Sequence, residues 1–156
     1  MVVLIRRATE DDEHVLIAML YLALFVPPGE PPLPPDITDR SDLARYAHGF
    51  GSRPGDHGWI AETEDGESVG AAWVRQLPAE DPGYGFVDGN TPELSIALVP
   101  AARSRGVGTA LLERLLAEVP RCSLSVDDRN PAVRLYERCG FEVVSHDGHS
   151  LTMLRP

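Results

Sequence analysis

The residues best placed for chemistry lie in one turn, Arg103-Ser104-Arg105-Gly106-Val107-Gly108-Thr109. Before it runs a short apolar stretch, Leu94-Ser95-Ile96-Ala97-Leu98-Val99, with the length of a buried strand. After it, Val107, Leu111, Leu112, Leu115, Leu116 and Val119 repeat at the spacing of one helical face. A strand, a basic glycine turn and a helix can hold a diphosphate. The N–H groups of the turn and of the first helical turn converge, and the helix dipole favours an anion there. Gly106 and Gly108 carry no Cβ, so a ligand can approach the backbone closely.

Several kinds of diphosphate loop share these features. A nucleotide-triphosphate loop needs Lys followed by Ser or Thr after its second glycine, and here Thr109-Ala110 follow Gly108. A dinucleotide fingerprint needs Gly or Ala three residues after the second glycine, where this chain has Leu111. Asp127 does stand about 20 residues on, where that fold places a ribose-binding carboxylate. The missing glycine counts against that reading.

The pattern Arg103-x-x-Gly106-x-Gly108 resembles the Gln/Arg-x-x-Gly-x-Gly/Ala signature of the GNAT N-acetyltransferase superfamily. Downstream, Asn130, Ala132, Tyr136, Gly140 and Phe141 are similar to that family's Asn-x-x-Ala-x-x-x-Tyr-x-x-x-Gly-Phe segment. The likeness runs from Arg6-Arg7-Ala8-Thr9-Glu10-Asp11-Asp12 to the last strand, most of the chain.

The resemblance implies direct transfer of an acetyl group from acetyl-coenzyme A to an amine in a ternary complex. The pyrophosphate would rest on the N–H groups of Arg105, Gly106, Val107, Gly108 and Thr109, with charge from Arg103 and Arg105 and with Ser104 in the same turn. The pantetheine arm would enter a gap where the strand ending at Leu98-Val99 parts from the strand at 122–126. An N–H near Leu98 would stabilise the oxyanion formed at the thioester carbonyl. Tyr136 would protonate the leaving thiolate, since a phenol of pKa near 10 is protonated at neutral pH. Asn130 would cap its helix and touch the cofactor. Glu93 would take the amine's proton, directly or through water; His57 and His48 are weaker candidates. The small-molecule or peptide acceptor stays open among antibiotic, polyamine, amino acid and protein N-terminus. A homodimer through edge strands or the C-terminal hairpin is compatible with the resemblance. An acyl-coenzyme A-binding sensor without turnover is the alternative.

These residues need a frame. The 156 residues suffice for one domain, 1–156, with a real core. A net charge of −10 argues against a nucleic-acid surface. No apolar run approaches the roughly 20 residues of a membrane span, and Met1-Val2-Val3-Leu4-Ile5-Arg6-Arg7 lacks the order of a signal peptide. A cytoplasmic setting is expected, and the two cysteines form no disulfide framework. Cys122, Cys139, His146 and His149 lack metal-site spacing, so no metal is expected. Trp59 and Trp73 read as packing residues.

The expected elements run in order. Residues 2–7 form a strand, and Thr9 caps a helix with Val15, Leu16, Met19, Leu20 and Ala23 on its apolar face. Residues 27–35 hold six prolines and form a stiff loop. A helix at 41–47, a hairpin about Asp65-Gly66 and a loop at 78–92 follow. After the strand–turn–helix come a strand at 122–126, a helix from Asn130 to Gly140 and a last hairpin about Asp147-Gly148. The fold class is therefore α/β (α+β), a GNAT-type sheet of about seven mostly antiparallel strands with about four helices. The Pro-rich loop, the 78–92 loop and the final hairpin should surround the acceptor. Glu30, Asp36, Glu80, Asp81 and Asp88 would make that rim acidic.

Overall fold

The computed structural model describes residues 2–156. Strand β1 (Val3–Arg7) leads into a capping box at Thr9. Its side chain accepts from the Asp11 N–H, while Asp12 accepts from the Thr9 N–H. Helix α1 (Glu13–Ala23) follows and buries Leu16, Met19 and Leu20. It stops before Pro27, whose ring and missing N–H bar its extension. Helix α2 (Ser41–Ala44) is shorter than the expected 41–47, and the chain continues in turns.

Strands β2 (His57–Thr63), β3 (Ser68–Arg75) and β4 (Glu93–Leu98) form an antiparallel meander, and helix α3 (Val107–Glu118) crosses to β5 (Cys122–Asp127). Helix α4 (Ala132–Arg138) and the hairpin β6 (Glu142–Asp147) and β7 (Ser150–Arg155) complete the chain. The seven strands lie in the order β1-β2-β3-β4-β5-β7-β6. Among the described residues only β4 and β5 run parallel, as a helical crossover requires.

Two apolar layers hold the sheet. One packs α1 and the 46–50 segment against Ile60, Ala71, Trp73 and Ala97. The other packs α3 and α4 against the opposite face, through Leu111, Leu112, Leu115 and Tyr136. Strand alternation sends the two tryptophans to opposite faces. Trp73 is fully buried and donates its indole N–H to the Tyr46 carbonyl. Trp59 lies under the guanidinium groups of Arg7 and Arg114, at 4.5 and 5.1 Å from its ring.

The parallel pair is the feature that matters for function. β4 and β5 share one ladder pair, Glu93↔Ser123, and then part. Toward Leu98 the β4 edge has no strand beside it. The N–H of Val99 is turned the other way and donates to Val69 O on the β3 side. By alternation, the N–H groups of Ile96 and Leu98 point into the gap.

Candidate active site

A cleft passes through this parting as two chambers. The larger, about 800 Å³, is bordered by Leu98, Arg103, Ser104, Gly108, Leu135 and the Pro-rich loop. The smaller, about 450 Å³, is bordered by Leu20, Leu43, Leu94, Leu124 and several tyrosines. Ile96, Asn130 and Tyr136 line both.

The glycine turn stands at the mouth of the larger chamber. Gly106 precedes α3 with φ +79°, a left-handed conformation that side-chain-bearing residues adopt at a cost of about 1–2 kcal/mol. Its need is conformational, since an added Cβ would meet nothing within 4 Å. Ser104 takes φ +61° without being glycine. The first N–H groups of α3 have no intrahelical partner, and no side chain among the described residues caps them. Arg103 and Arg105 differ. Arg103 borders the chamber, whereas Arg105 donates its Nε–H to Ala101 O and braces the preceding turn. Val107 turns its side chain into the core, so its contribution and Thr109's would be backbone N–H groups. Gly108 lies on the cleft wall, where a Cβ would touch Leu98 and Leu135 at 3.5 and 3.7 Å, ordinary contact. Val99 departs from expectation. Its N–H serves Val69 and its carbonyl accepts from Ala102, so its backbone is already bonded.

The second sequence segment delivers Tyr136. Asn130 Oδ1 accepts from the Ala132 N–H and starts α4. The helix closes at Gly140, the expected end, with Cys139 as its C-cap. Gly140 has φ +94°, the Phe141 N–H donates to Tyr136 O, and the Gly140 N–H donates to Glu137 O. This closure brings the Phe141 ring edge-on to Tyr136 at 5.9 Å. Tyr136 is 7% exposed, and burial alone pushes its phenol pKa upward. It stays a proton carrier at neutral pH, with its ring wedged where the chambers meet.

Glu93, expected to take the amine's proton, does not face the cleft. It is 3% exposed and lines neither chamber. Oε2 accepts the Gly83 N–H at 2.9 Å, and Oε1 accepts the Gly85 N–H at 2.9 Å. The Tyr46 hydroxyl donates to Oε1 at 3.3 Å and accepts the Tyr84 N–H at 2.6 Å. Burial raises the Glu93 pKa, and the bonds from Gly85 and Gly83 pull it the other way. Both glycines are dictated by space. A Cβ at Gly83 would lie 2.3 Å from Glu93 Oε1, and one at Gly85 would lie 2.6 Å from the Leu124 carbonyl carbon.

Tyr46, Tyr84 and Arg75 carried no signal in the sequence reading beyond their residue types. Arg75 is 2% exposed and forms a buried ion pair with Asp56 at 3.1 Å. Its guanidinium also donates to the carbonyls of Arg45, His48 and Gly49. Together with Trp73 it fixes the segment that carries Tyr46.

The expected acidic rim moves. Glu80, Asp81 and Asp88 line neither chamber, and Asp81 and Asp88 pair with Arg45 and Arg121. Glu30 borders the larger chamber, on the glycine-turn side. The carboxylates of the smaller chamber are Asp127 and Asp147, beside His149 of the last hairpin, so that hairpin does border it. Arg129 holds Asp127 down to about 2 by a two-pronged bond. Asp127 is thus engaged, and lies in the chamber away from the glycine turn, which removes the support for a dinucleotide site. His149 bonds Asp128 at 2.8 Å, while His57 and His48 line neither chamber. Cys122 is buried core, its thiol pushed up to about 12, and Cys139 is the helix C-cap.

The PaiA N-acetyltransferase of Thermoplasma acidophilum, solved with coenzyme A, superposes with a TM-score of 0.67 at 18% identity, over 99% of each chain. A ribosomal-protein-alanine N-acetyltransferase from Brucella melitensis gives 0.61 at 26% identity, over 97% of this chain and 98% of that one. The histone acetyltransferase HPA2-related protein of Corynebacterium glutamicum gives 0.62 at 22% identity, over 100% and 97%. No curated protein sequence matches. The acetyltransferase (GNAT) family model matches residues 17–141, and the chain belongs to that family.

Proposed function

We propose that this protein acetylates a primary amine carried on an apolar body, with acetyl-coenzyme A as donor and no covalent enzyme intermediate. The observation that carries the reading is the single cleft whose two chambers meet at Tyr136.

The larger chamber fits the donor. Its mouth offers an open left-handed glycine, unpartnered helix N–H groups and Arg103 for a diphosphate. The free β4 edge beyond Glu93↔Ser123 offers backbone groups to an amide-bearing arm, as an added strand would use them. Acetyl-coenzyme A supplies an acyl group activated as a thioester. In this reading the Leu98 N–H polarises the acyl oxygen, and Tyr136 gives its proton to the departing sulfur. Asn130 fixes the start of α4 and so the position of Tyr136.

The smaller chamber fits the acceptor. Leu20, Leu43, Leu94 and Leu124 favour an apolar body, and Asp127 and Asp147 favour a cationic end. The amine must be neutral to attack, yet an alkylammonium has pKa about 10, so the site must take up a proton.

The test is acetyl-coenzyme A with a panel of aryl-alkyl and alkyl primary amines, followed by release of free thiol. Wild type should turn over at least one of them. Tyr136→Phe should lose about 10²-fold or more in kcat while coenzyme A binding, read by calorimetry, is retained. Full activity in that variant would remove Tyr136 from the chemistry.

A further inference from the structure

We propose that Tyr46 is the group that meets the acceptor's ammonium, and that Glu93 takes the proton only through it. The inference rests on the transferase reading above. Glu93 stands at the closed end of the parted strands, paired with Ser123, and it is walled off. Gly83 and Gly85 each donate an N–H to it, and it borders neither chamber. Tyr46 does border the acceptor chamber. Its hydroxyl is bonded to Glu93 Oε1 on one side and accepts from the Tyr84 N–H. One oxygen lone pair remains for a substrate N–H.

The step balances. An ammonium N–H bond breaks and its proton joins the Tyr46 oxygen, while that oxygen passes its own proton to Glu93 Oε1. The electron pair stays on nitrogen, so a neutral amine and a neutral carboxylic acid result. The new Oε1–H donates back to Tyr46, and the Gly83 and Gly85 N–H groups keep their acceptors. After the C–N bond forms, the C–S bond breaks and its electron pair leaves on sulfur; sulfur takes the Tyr136 proton, and the second nitrogen proton restores that of Tyr136. After product release the Glu93 proton returns to solvent by the same route.

The relay is held rigidly. Trp73 donates to Tyr46 O at 2.7 Å, and Arg75 gathers the carbonyls of Arg45, His48 and Gly49 around it. The charged groups nearby are few. Arg45 lies over the Tyr84 ring and pairs with Asp81 of the loop, and Asp42 of α2 accepts from the Tyr84 hydroxyl. β5 contributes the uncharged Ser123. Burial raises the Glu93 pKa, the direction that favours taking up a proton, which supports the geometry.

The experiment compares wild type and Tyr46→Phe with 2-phenylethylamine and the remaining amine panel across pH 6–10 (roughly the span over which an alkylammonium begins to deprotonate). Phe keeps the packing and removes the relay oxygen. The variant should lose about 10²-fold in kcat near neutral pH, with acceptor KM changed far less. Its rate should climb about tenfold per pH unit and approach wild type near the amine's own pKa, because free amine replaces the relay. A second readout needs no turnover. The carboxyl ¹³C titration of Glu93, assigned with Glu93→Gln, should move to higher pH in Tyr46→Phe, since a hydrogen bond to the charged form is gone. Parallel pH profiles, or an unmoved Glu93 titration, overturn the relay and leave the transferase intact. A wild type that neither binds coenzyme A nor acetylates any amine overturns both.

Discussion

Gly85→Ala isolates how the wall of the smaller chamber is built. Gly85 lies against β5, and an added Cβ would sit 2.6 Å from the Leu124 carbonyl carbon and 2.8 Å from the Ser125 nitrogen. These are backbone atoms that cannot rotate away, so the loop must lift. Lifting breaks the Gly85 N–H bond to the Glu93 carboxylate and the Ser123 hydroxyl bond to Gly85 O. The first is a bond to a charged group, worth about 1.5–3 kcal/mol, and the second about 1 kcal/mol. A loss of about 3 kcal/mol follows, which for a chain of this size lowers Tm by about 6–12 °C. Gly89 supplies the control, because it belongs to the same loop and a Cβ there would meet nothing within 4 Å. Gly89→Ala should stay within about 0.5 kcal/mol of wild type. Urea denaturation of both variants measures the difference. Equal stability of the two alanine variants would show that the loop does not lie on β5 as described.

Other outcomes follow from the same contacts. Arg75→Met should cost about 3–5 kcal/mol in urea denaturation, because it leaves Asp56 buried without its ion pair and three carbonyls without a donor. Asp12 is held below the ordinary aspartate value by its hydrogen bonds from Arg6. Its stabilisation is therefore present above about pH 4 and lost as pH falls through the depressed folded value, so the Tm gap between wild type and Asp12→Asn should close in acid. Asp147 has no ion-pair partner among the described residues, whereas Asp127 is taken by Arg129. Asp147→Asn should raise the KM of a cationic acceptor about two- to fivefold with kcat little changed, the effect of a partly solvated charge.

Local chemistry was legible in the sequence where the signal is local. The Thr9 cap, the Asp65-Gly66 hairpin turn and the end of α4 at Gly140 depend on residues close in the chain; the hairpin and the helix end form as read, while Thr9 caps the short turn Glu10–Asp12 that leads into α1. The parting of β4 from β5 was also foreseen, on the resemblance. What escaped depends on loops meeting strands far along the chain. The enclosure of Glu93 escaped because nothing near it in sequence shows that Gly83 and Gly85 fold back onto its carboxylate. Their spacing, Gly-x-Gly in a loop just before an acidic strand start, was the available clue. Tyr46 is placed by Trp73 and Arg75, 27 and 29 positions away in the numbering, and neither leaves a pattern. Expecting an acidic rim from loop composition failed for a related reason. Asp81 and Asp88 had arginine partners at Arg45 and Arg121 that only the fold brings near.

The measurement closest to the central claim is calorimetric titration of acetyl-coenzyme A into wild type and into Gly108→Glu. Position 108 is helical and borders the larger chamber, and a Cβ there makes only ordinary contacts, so the variant should fold and project its carboxylate into the cleft. Wild type should bind in the micromolar range and the variant not at all, with Tm nearly unchanged. Absence of binding by wild type, or equal binding by the two, would contradict that claim.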